Sequence, residues 1–205
     1  MDKQDQLNQL NQTVAQCQRC PLFKTATKSV PGDGNPETNL VFIGEAPGRW
    51  EDQKGIPFVG AAGNLLNKLL VQINLDRQDV FIANILKHRP PNNRDPLPDE
   101  IIACTPFLKQ QLLIIKPKLV VTLGRFAMNY FIPDVFISKV HGQVKEIIWN
   151  QIKLTILPIY HPAAALRNGQ AMRALVEDFQ QIPKLVEIEQ TINPKSPTPK
   201  QEKLL

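Results

Sequence analysis

Four short apolar runs, each bounded by Gly, Pro or polar residues, constrain the fold of this chain more than any other feature. They lie at residues 40–48, 80–87, 118–124 and 152–162. Runs of this kind are typical of buried strands. Helical patterns lie between and after them, at residues 60–73, 98–115, 124–131 and 171–182. Alternating strands and helices predict an α/β fold, in which three α/β/α layers enclose a central, mainly parallel sheet of four strands.

The ends of the chain have a different character. Residues 3–16 are predicted to form a short polar helix that leads into Cys17, and the sequence around Asn150 suggests a hairpin. Residues 191–205 are rich in Pro and Lys, so we predict a disordered tail.

Composition narrows the class of protein. The chain has 205 residues, of which 42% are hydrophobic and 21% charged, as in an ordinary globular domain. No apolar run approaches the roughly 20 residues that a membrane span needs. A polar N-terminus and three cysteines predict a cytoplasmic protein without a signal peptide or a disulfide framework. The net charge of +5 favours a polyanionic partner.

Each of the four apolar runs has a candidate site segment at its C-terminal end or directly after it. The segments are residues 44–48 (GEAPG), Asn84, Gly124 and residues 160–162 (YHP). Ligands of parallel sheets bind at the carboxyl ends of the strands, so we expect these segments to form one site.

The three cysteines raise the question of a metal site. Cys17 and Cys20 form a C-x-x-C pair, Cys104 stands alone, and His88 lies sixteen residues before it. Zinc or an iron–sulfur cluster would fit such donors, and a redox dithiol fits less well because no strand precedes Cys17. Alternatively, Cys104 is a core residue and His88 a surface histidine. The donor types alone leave these readings open.

Several motifs together resemble the family 4 (iron–sulfur) uracil-DNA glycosylases. They are VPGDGNPETNLVFIGEAPG, GIPFVGAAGNLLNKLL, IANILKHRPPNNRDPLPDE followed by Cys104, and HPAAALRN. The resemblance extends from about Cys17 to Gln181 and implies a glycosylase domain over residues 1–190. It also implies a monomer whose partner is uracil-containing DNA, single- or double-stranded, without membrane association.

The resemblance implies a 4Fe-4S cluster. By position its ligands are Cys17, Cys20, His88 and Cys104, where relatives carry four cysteines. A covalently trapping branch of the superfamily also has Lys-His at this point and uses the histidine as a ligand. That branch traps DNA through a second histidine in a basic insertion. Here residues 89–100 contain neither, so we expect no covalent product.

The resemblance also implies a uracil pocket. Its residues by position are Gly44, Glu45, Ala46, Pro47, Glu51, Phe58, Asn84 and His161. Asn84 is expected to read the base and Phe58 to stack on it. His161 is expected to donate to uracil O2 as negative charge develops there. The best-known relatives have Asp where this chain has Ala46, so Glu45 is the nearest carboxylate for orienting water or stabilising the cationic sugar.

DNA contacts are expected around the pocket. The helix start at Gly60 and Gly63 offers N–H groups to a phosphate, although a tight packing turn explains these glycines as well. After His161, Leu166 is the expected wedge and Arg167 a backbone contact. Phosphate contacts predict strong salt dependence. Two other functions remain open: a non-catalytic uracil- or DNA-binding module, and a zinc-stapled nucleotide-binding domain.

Overall fold

A six-stranded sheet forms the centre of the protein in the computed structural model, which describes residues 1–186. The strands are β1 (Asp33–Gly34), β2 (Leu40–Gly44), β3 (Phe81–Asn84), β4 (Leu119–Leu123), β5 (Lys145–Trp149) and β6 (Ile152–Ile159). Their order across the sheet is β1-β3-β2-β4-β6-β5, and the four central strands are parallel. The prediction of a mainly parallel sheet is confirmed, whereas the predicted number of four strands is wrong. The predicted tail, residues 191–205, lies outside the described residues.

The two additional strands are antiparallel and lie at the edges. β1 is only two residues long and pairs with β3, so its sequence carries no strand pattern of its own. β5 pairs with β6 as a hairpin, which confirms the prediction around Asn150. Asn150 and Gln151 connect the two strands with φ values of 47° and 68°, the positive pair that a type I′ turn requires.

Helices precede or follow every parallel strand. They are α1 (Lys3–Ala15), α2 (Arg49–Lys54), α3 (Ala61–Gln72), α4 (Pro98–Ile115), α5 (Gly124–Phe131), α6 (Ile137–Val140), α7 (Pro162–Ala165), α8 (Gly169–Phe179) and α9 (Ile182–Leu185). The longer ones lie within a few residues of their predicted positions. The short helices α2, α6, α7 and α9 were not predicted, because four to six residues give too little periodicity to recognise.

Alternating residues of β2 divide the core into two layers. Val41 and Ile43 join the cluster that contains apolar residues of α1, α4 and α5. Leu40 and Phe42 point the other way, into the cluster formed by α3, α8 and α9. All five residues of β2 are buried, as expected for a strand covered on both faces. The three-layer α/β/α prediction is therefore confirmed.

The strand order places a crevice at the carboxyl ends of the central strands. From β2 the chain crosses to β3 on one side, and it then returns to β4 on the other side of β2. Such a reversal opens a space for ligands beyond the strand ends. Within residues 1–186, no helix combines the length and the apolar character that crossing a membrane would need.

Candidate active site

A cavity of about 420 Å³ lies in this crevice. Its lining includes seven of the eight predicted pocket residues: Glu45, Ala46, Pro47, Glu51, Phe58, Asn84 and His161. The eighth, Gly44, lies beneath them. A Cβ atom on Gly44 would overlap Asn84 Oδ1 and the Phe58 ring. Glycine at this position therefore allows the amide and the ring to meet at the floor of the cavity.

Asn84 lines the cavity and carries a buried hydrogen-bond acceptor that lacks a partner within residues 1–186. Its side chain is 1% exposed at the end of β3, and Oδ1 has no hydrogen-bond partner among the described residues. A buried polar atom without a partner costs about 1–3 kcal/mol. An unpaired amide in a cavity wall is suited to accept a hydrogen bond from a ligand N–H group.

Lys87 holds the backbone of Asn84 from below. Its Nζ atom donates to the Asn84 carbonyl oxygen and to Gln111 Oε1, both at 2.8 Å. Gln111 Nε2 in turn donates to the carbonyl of Pro31 at 2.7 Å. Lys87 is fully buried, and burial lowers its pKa to about 7. A continuous set of hydrogen bonds thus links the end of β3 to α4 and to the loop before β1.

Phe58 has an uncommon backbone conformation. Its φ angle is 52°, in the left-handed region that bulky residues rarely adopt. Arg77 donates to the carbonyl oxygens of Pro57 and Phe58, and Gly63 packs against the Phe58 carbonyl so closely that a Cβ would not fit. These contacts hold the Phe58 ring at the cavity wall, 5.7 Å from the His161 ring centroid.

Glu51 lines the cavity and also fixes the entry to α3. Its Oε1 atom accepts hydrogen bonds from the N–H groups of Val59 and Gly60, at 2.9 and 3.0 Å. The N–H group of Gly60 itself is therefore not free, because the Glu51 carboxylate accepts from it. The expected DNA contact of the helix start at Gly60 and Gly63 stays a prediction. Gly63 meets the other expectation, a packing turn, through its contact with Phe58.

His161 is the N-terminal cap of α7, and its tautomer follows from its contacts. Nδ1 accepts a hydrogen bond from the N–H of Ala163 at 3.0 Å. Burial lowers the pKa of His161 to about 4, with Glu51 partly opposing the shift. The ring is therefore neutral near pH 7, and because Nδ1 accepts, the proton is on Nε2. His161 can then act as a neutral donor, a state that the sequence left open.

Glu45 follows β2 and lies partly buried in the cavity wall. Burial raises its pKa to about 7, nearby Asp95 adds to the rise, and Arg125 opposes it. Arg125 and Asp95 form an ion pair of 3.1 Å. Perturbed carboxyl groups in a cavity are frequent at catalytic sites. Glu45 can therefore change its charge near neutral pH.

The cavity lining also contains six residues outside the predicted pocket and DNA-contact residues. They are Gly48, Ala62, Pro90, Asn93, Arg94 and Ala163. Arg94 makes two hydrogen bonds, of 2.6 and 2.9 Å, to the carboxylate of Glu100, a residue that is 1% exposed. The available signal was the repeated Arg of the RPPNNR segment, but its partner in α4 could not be read from spacing. On the opposite side Arg167 lines the cavity, and Leu166 is 50% exposed.

The four predicted metal donors lie near one another: Cys104 interacts with Cys17 and Cys20, and His88 shares a cavity lining with Cys17. Cys17 and His88 line a second cavity of about 450 Å³. Cys20 and Cys104 are buried, and burial and the neighbouring thiols raise their pKa values. The backbone N–H of Lys87 donates to Cys104, and burial lowers the pKa of His88, which favours the neutral imidazole that binds metals.

The chemistry of these donors bears on which metal group they could hold. Within residues 1–186, no three His, Cys, Asp or Glu side chains are grouped closely enough to hold one metal ion. Three free thiols and one imidazole whose pKa is lowered are donor types that iron–sulfur clusters use.

Several known proteins with similar sequences are uracil-DNA glycosylases. Residues 31–181 match the model of the uracil DNA glycosylase superfamily. The type-4 uracil-DNA glycosylase of Archaeoglobus fulgidus is 47% identical over 188 residues, which are 88% of this chain and 94% of that protein. Those of Sulfurisphaera tokodaii and Saccharolobus solfataricus are 45% and 46% identical, with 88% and 87% of this chain aligned and 85% of each relative. The chain therefore belongs to the uracil-DNA glycosylase superfamily and, within it, to the type-4 uracil-DNA glycosylases.

Proposed function

We propose that the protein hydrolyses the N-glycosidic bond of deoxyuridine in DNA, releasing uracil and leaving an abasic site. The observation that carries this proposal is the unpaired, buried Oδ1 atom of Asn84 at the floor of a base-sized cavity. The substrate is uracil-containing DNA, from which the target nucleotide must leave the base stack to reach the cavity.

Asn84 is the proposed discriminating residue. Its Oδ1 atom would accept from uracil N3–H, and its amide group would donate to uracil O4. Cytosine has an unprotonated N3 and an amino group at these positions, so both hydrogen bonds would be lost. Because Asn84 is already buried, the mismatch would leave polar atoms unpaired on both sides. Phe58 would stack on the bound base.

His161 is the proposed donor to the leaving group. When the bond between C1′ and N1 breaks, its electron pair departs with uracil and negative charge develops on O2. The neutral Nε2–H of His161 would stabilise that charge without a prior change of protonation. A pre-oriented donor of this type contributes about 10²- to 10³-fold in rate.

Glu45 is the proposed partner of the sugar and of water. As a carboxylate it would stabilise the positive charge that develops on the sugar ring. It would also orient a water molecule whose oxygen bonds to C1′ and whose proton Glu45 accepts. Uracil then takes up a proton at N1, which completes the hydrolysis. Only the ionised form of Glu45 can perform these roles, and its pKa of about 7 places this ionisation in the working range.

Cys17, Cys20, His88 and Cys104 are the proposed ligands of a 4Fe-4S cluster. The cluster's contribution is structural, since hydrolysis transfers no electrons. It would join the segment after α1, which carries Cys17 and Cys20, to His88 in the loop before α4 and to Cys104 within α4. One imidazole in place of a thiolate removes a negative charge, so the reduction potential should exceed that of an all-cysteine cluster.

Leu166 and Arg167 are the proposed DNA contacts beside the cavity. Leu166 is half exposed at the end of α7 and would fill the space that the extruded base leaves. Arg167, which lines the cavity, would contact a phosphate. Phosphate contacts release counterions, so binding should weaken steeply with salt.

The test is a denaturing gel of end-labelled DNA that contains one uracil, with and without alkali after incubation. Cleavage only after alkali supports release of uracil and a free abasic site. Intact DNA over a range of salt and in both strand forms would support a binding module instead. A protein–DNA band that survives denaturation would indicate covalent trapping; His141, the third histidine, is bound to Asp178 and is not expected to supply it.

A further inference from the structure

Trp50 is a large aromatic residue that the mechanism does not use. It is 53% exposed in the first turn of α2, directly before Glu51. A methyl group on Gly60 would lie 3.3 Å from Trp50 Cδ1 and 3.4 Å from Glu51 Oε1. Since Glu51 lines the cavity, the indole ring stands beside the cavity wall, with much of its surface in solvent.

A cation accompanies this ring. The Arg49 guanidinium lies 5.6 Å from the Trp50 ring centroid, within cation–π range, and Arg49 is itself exposed. An aromatic surface with an adjacent cation is the combination that binds single-stranded nucleic acid, because bases stack on the ring and phosphates meet the charge.

We propose that Trp50 stacks against the nucleobase next to the extruded uracil, while Arg49 contacts the phosphate beside it. This inference rests on the proposed function, because it requires uracil of the same strand in the cavity. In a duplex, the neighbouring base is paired and stacked on its other side. It can reach Trp50 only after leaving that stack, so the arrangement favours single-stranded substrates.

Fluorescence tests this contact directly. The chain has two tryptophans, and Trp149 is buried, so Trp149→Phe leaves Trp50 as the only indole reporter. The probe is an oligonucleotide with 2′-fluoro-deoxyuridine, whose fluorine destabilises the cationic sugar and preserves the glycosidic bond. We expect the single strand to quench the emission strongly and the matched duplex to quench it weakly. Binding is followed separately by the fluorescence anisotropy of a labelled strand. The inference would be overturned if saturating strand caused no quenching, or if the duplex quenched the emission equally.

Kinetics provide a second test. Trp50→Ala should raise KM for a single-stranded uracil substrate by about 5- to 100-fold, and more than it lowers kcat. Trp50→Phe should retain most of the affinity. Phe136→Ala, at an aromatic residue that is 78% exposed directly before α6, is the matched control and should change neither constant. If the unsubstituted protein releases uracil and Trp50→Ala has an unchanged KM, the stacking contact is rejected and the proposed function stands. If the unsubstituted protein releases no uracil, the proposed function is rejected. In that case the quenching measurement still shows whether Trp50 contacts the base.

Discussion

The Nζ atom of Lys87 lies 2.8 Å from the carbonyl oxygen of Asn84, so a fully buried amino group fixes the backbone of the residue that faces the cavity. Lys87 is a positioning residue: it does not line the cavity and acts through Asn84 and Gln111.

Lys87→Met should disturb both the fold and the recognition of uracil. Methionine has a similar length but leaves the Asn84 carbonyl and Gln111 Oε1 without their donor, which we expect to destabilise the protein by about 1–3 kcal/mol. The displaced Asn84 should raise KM for uracil DNA. Denaturant unfolding and steady-state kinetics measure the two effects, with the exposed Lys68→Met as control. A destabilised variant with unchanged KM would leave Lys87 a purely structural role.

Asn84→Asp should remove the preference for uracil. A carboxylate cannot donate to O4, and its charge would face that oxygen in a buried site. We expect kcat/KM for uracil to fall by at least about 100-fold, because the variant leaves buried polar groups unpaired. Single-turnover assays on matched strands with uracil or cytosine measure the preference, and Asn64→Asp on α3 is the control. Retained preference for uracil would assign discrimination to another residue.

The pH profile should report Glu45 and not His161. Because the pKa of Glu45 is raised to about 7, the carboxyl is protonated below that pH and ionised above it. We therefore expect kcat/KM to rise as the pH increases through about 7. His161 has a pKa of about 4 and stays neutral over the same range, so it causes no further change in kcat/KM with pH there. Glu45→Gln should lower the rate and flatten the profile; an unchanged rise with pH in that variant would contradict the assignment.

His161→Leu should affect the chemical step. Loss of the Nε2–H donor is expected to lower kcat by about 10²- to 10³-fold, with a small effect on KM, because the hydrogen bond strengthens only as charge develops on O2. His161→Gln, which keeps a side-chain donor, should recover part of the loss. Single-turnover rates at saturating enzyme measure the step. Equal losses in the two variants would indicate that the imidazole matters for packing against Phe58 instead.

His88→Cys should preserve the cluster and lower its reduction potential, since a thiolate adds negative charge. His88→Ala should reduce the iron content and the absorbance near 400 nm of the purified protein. Iron analysis, absorption spectra and potentiometry check these outcomes, and His141→Ala is the control because His141 pairs with Asp178. A fully loaded cluster of unchanged potential in His88→Ala would exclude His88 as a ligand.

The sequence predicts the centre of the fold better than its edges. Strands β2, β3, β4 and β6 are apolar because they are buried, so their pattern is visible. β1 is a strand only because it pairs with β3, and no local sequence pattern predicts it. Glu45, Asn84 and His161 could be expected together because they end or follow strands that end at one edge of the sheet. Glu51 and Phe58 follow no strand and were expected only from the family resemblance. Contacts between distant side chains and backbone, such as that of Glu51 with Gly60, were not predictable, because they depend on tertiary packing.

The left-handed backbone at Phe58 lowers the stability of the whole fold. A non-glycine residue in this region costs on the order of 1–3 kcal/mol, which Arg77 and the packing of Gly63 must offset. Glycine at position 58 would relax the backbone but would remove the aromatic ring from the cavity wall. Selection for thermal stability alone would therefore drive this position away from the residue that the site needs, so Phe58 marks a place where stability and activity oppose each other.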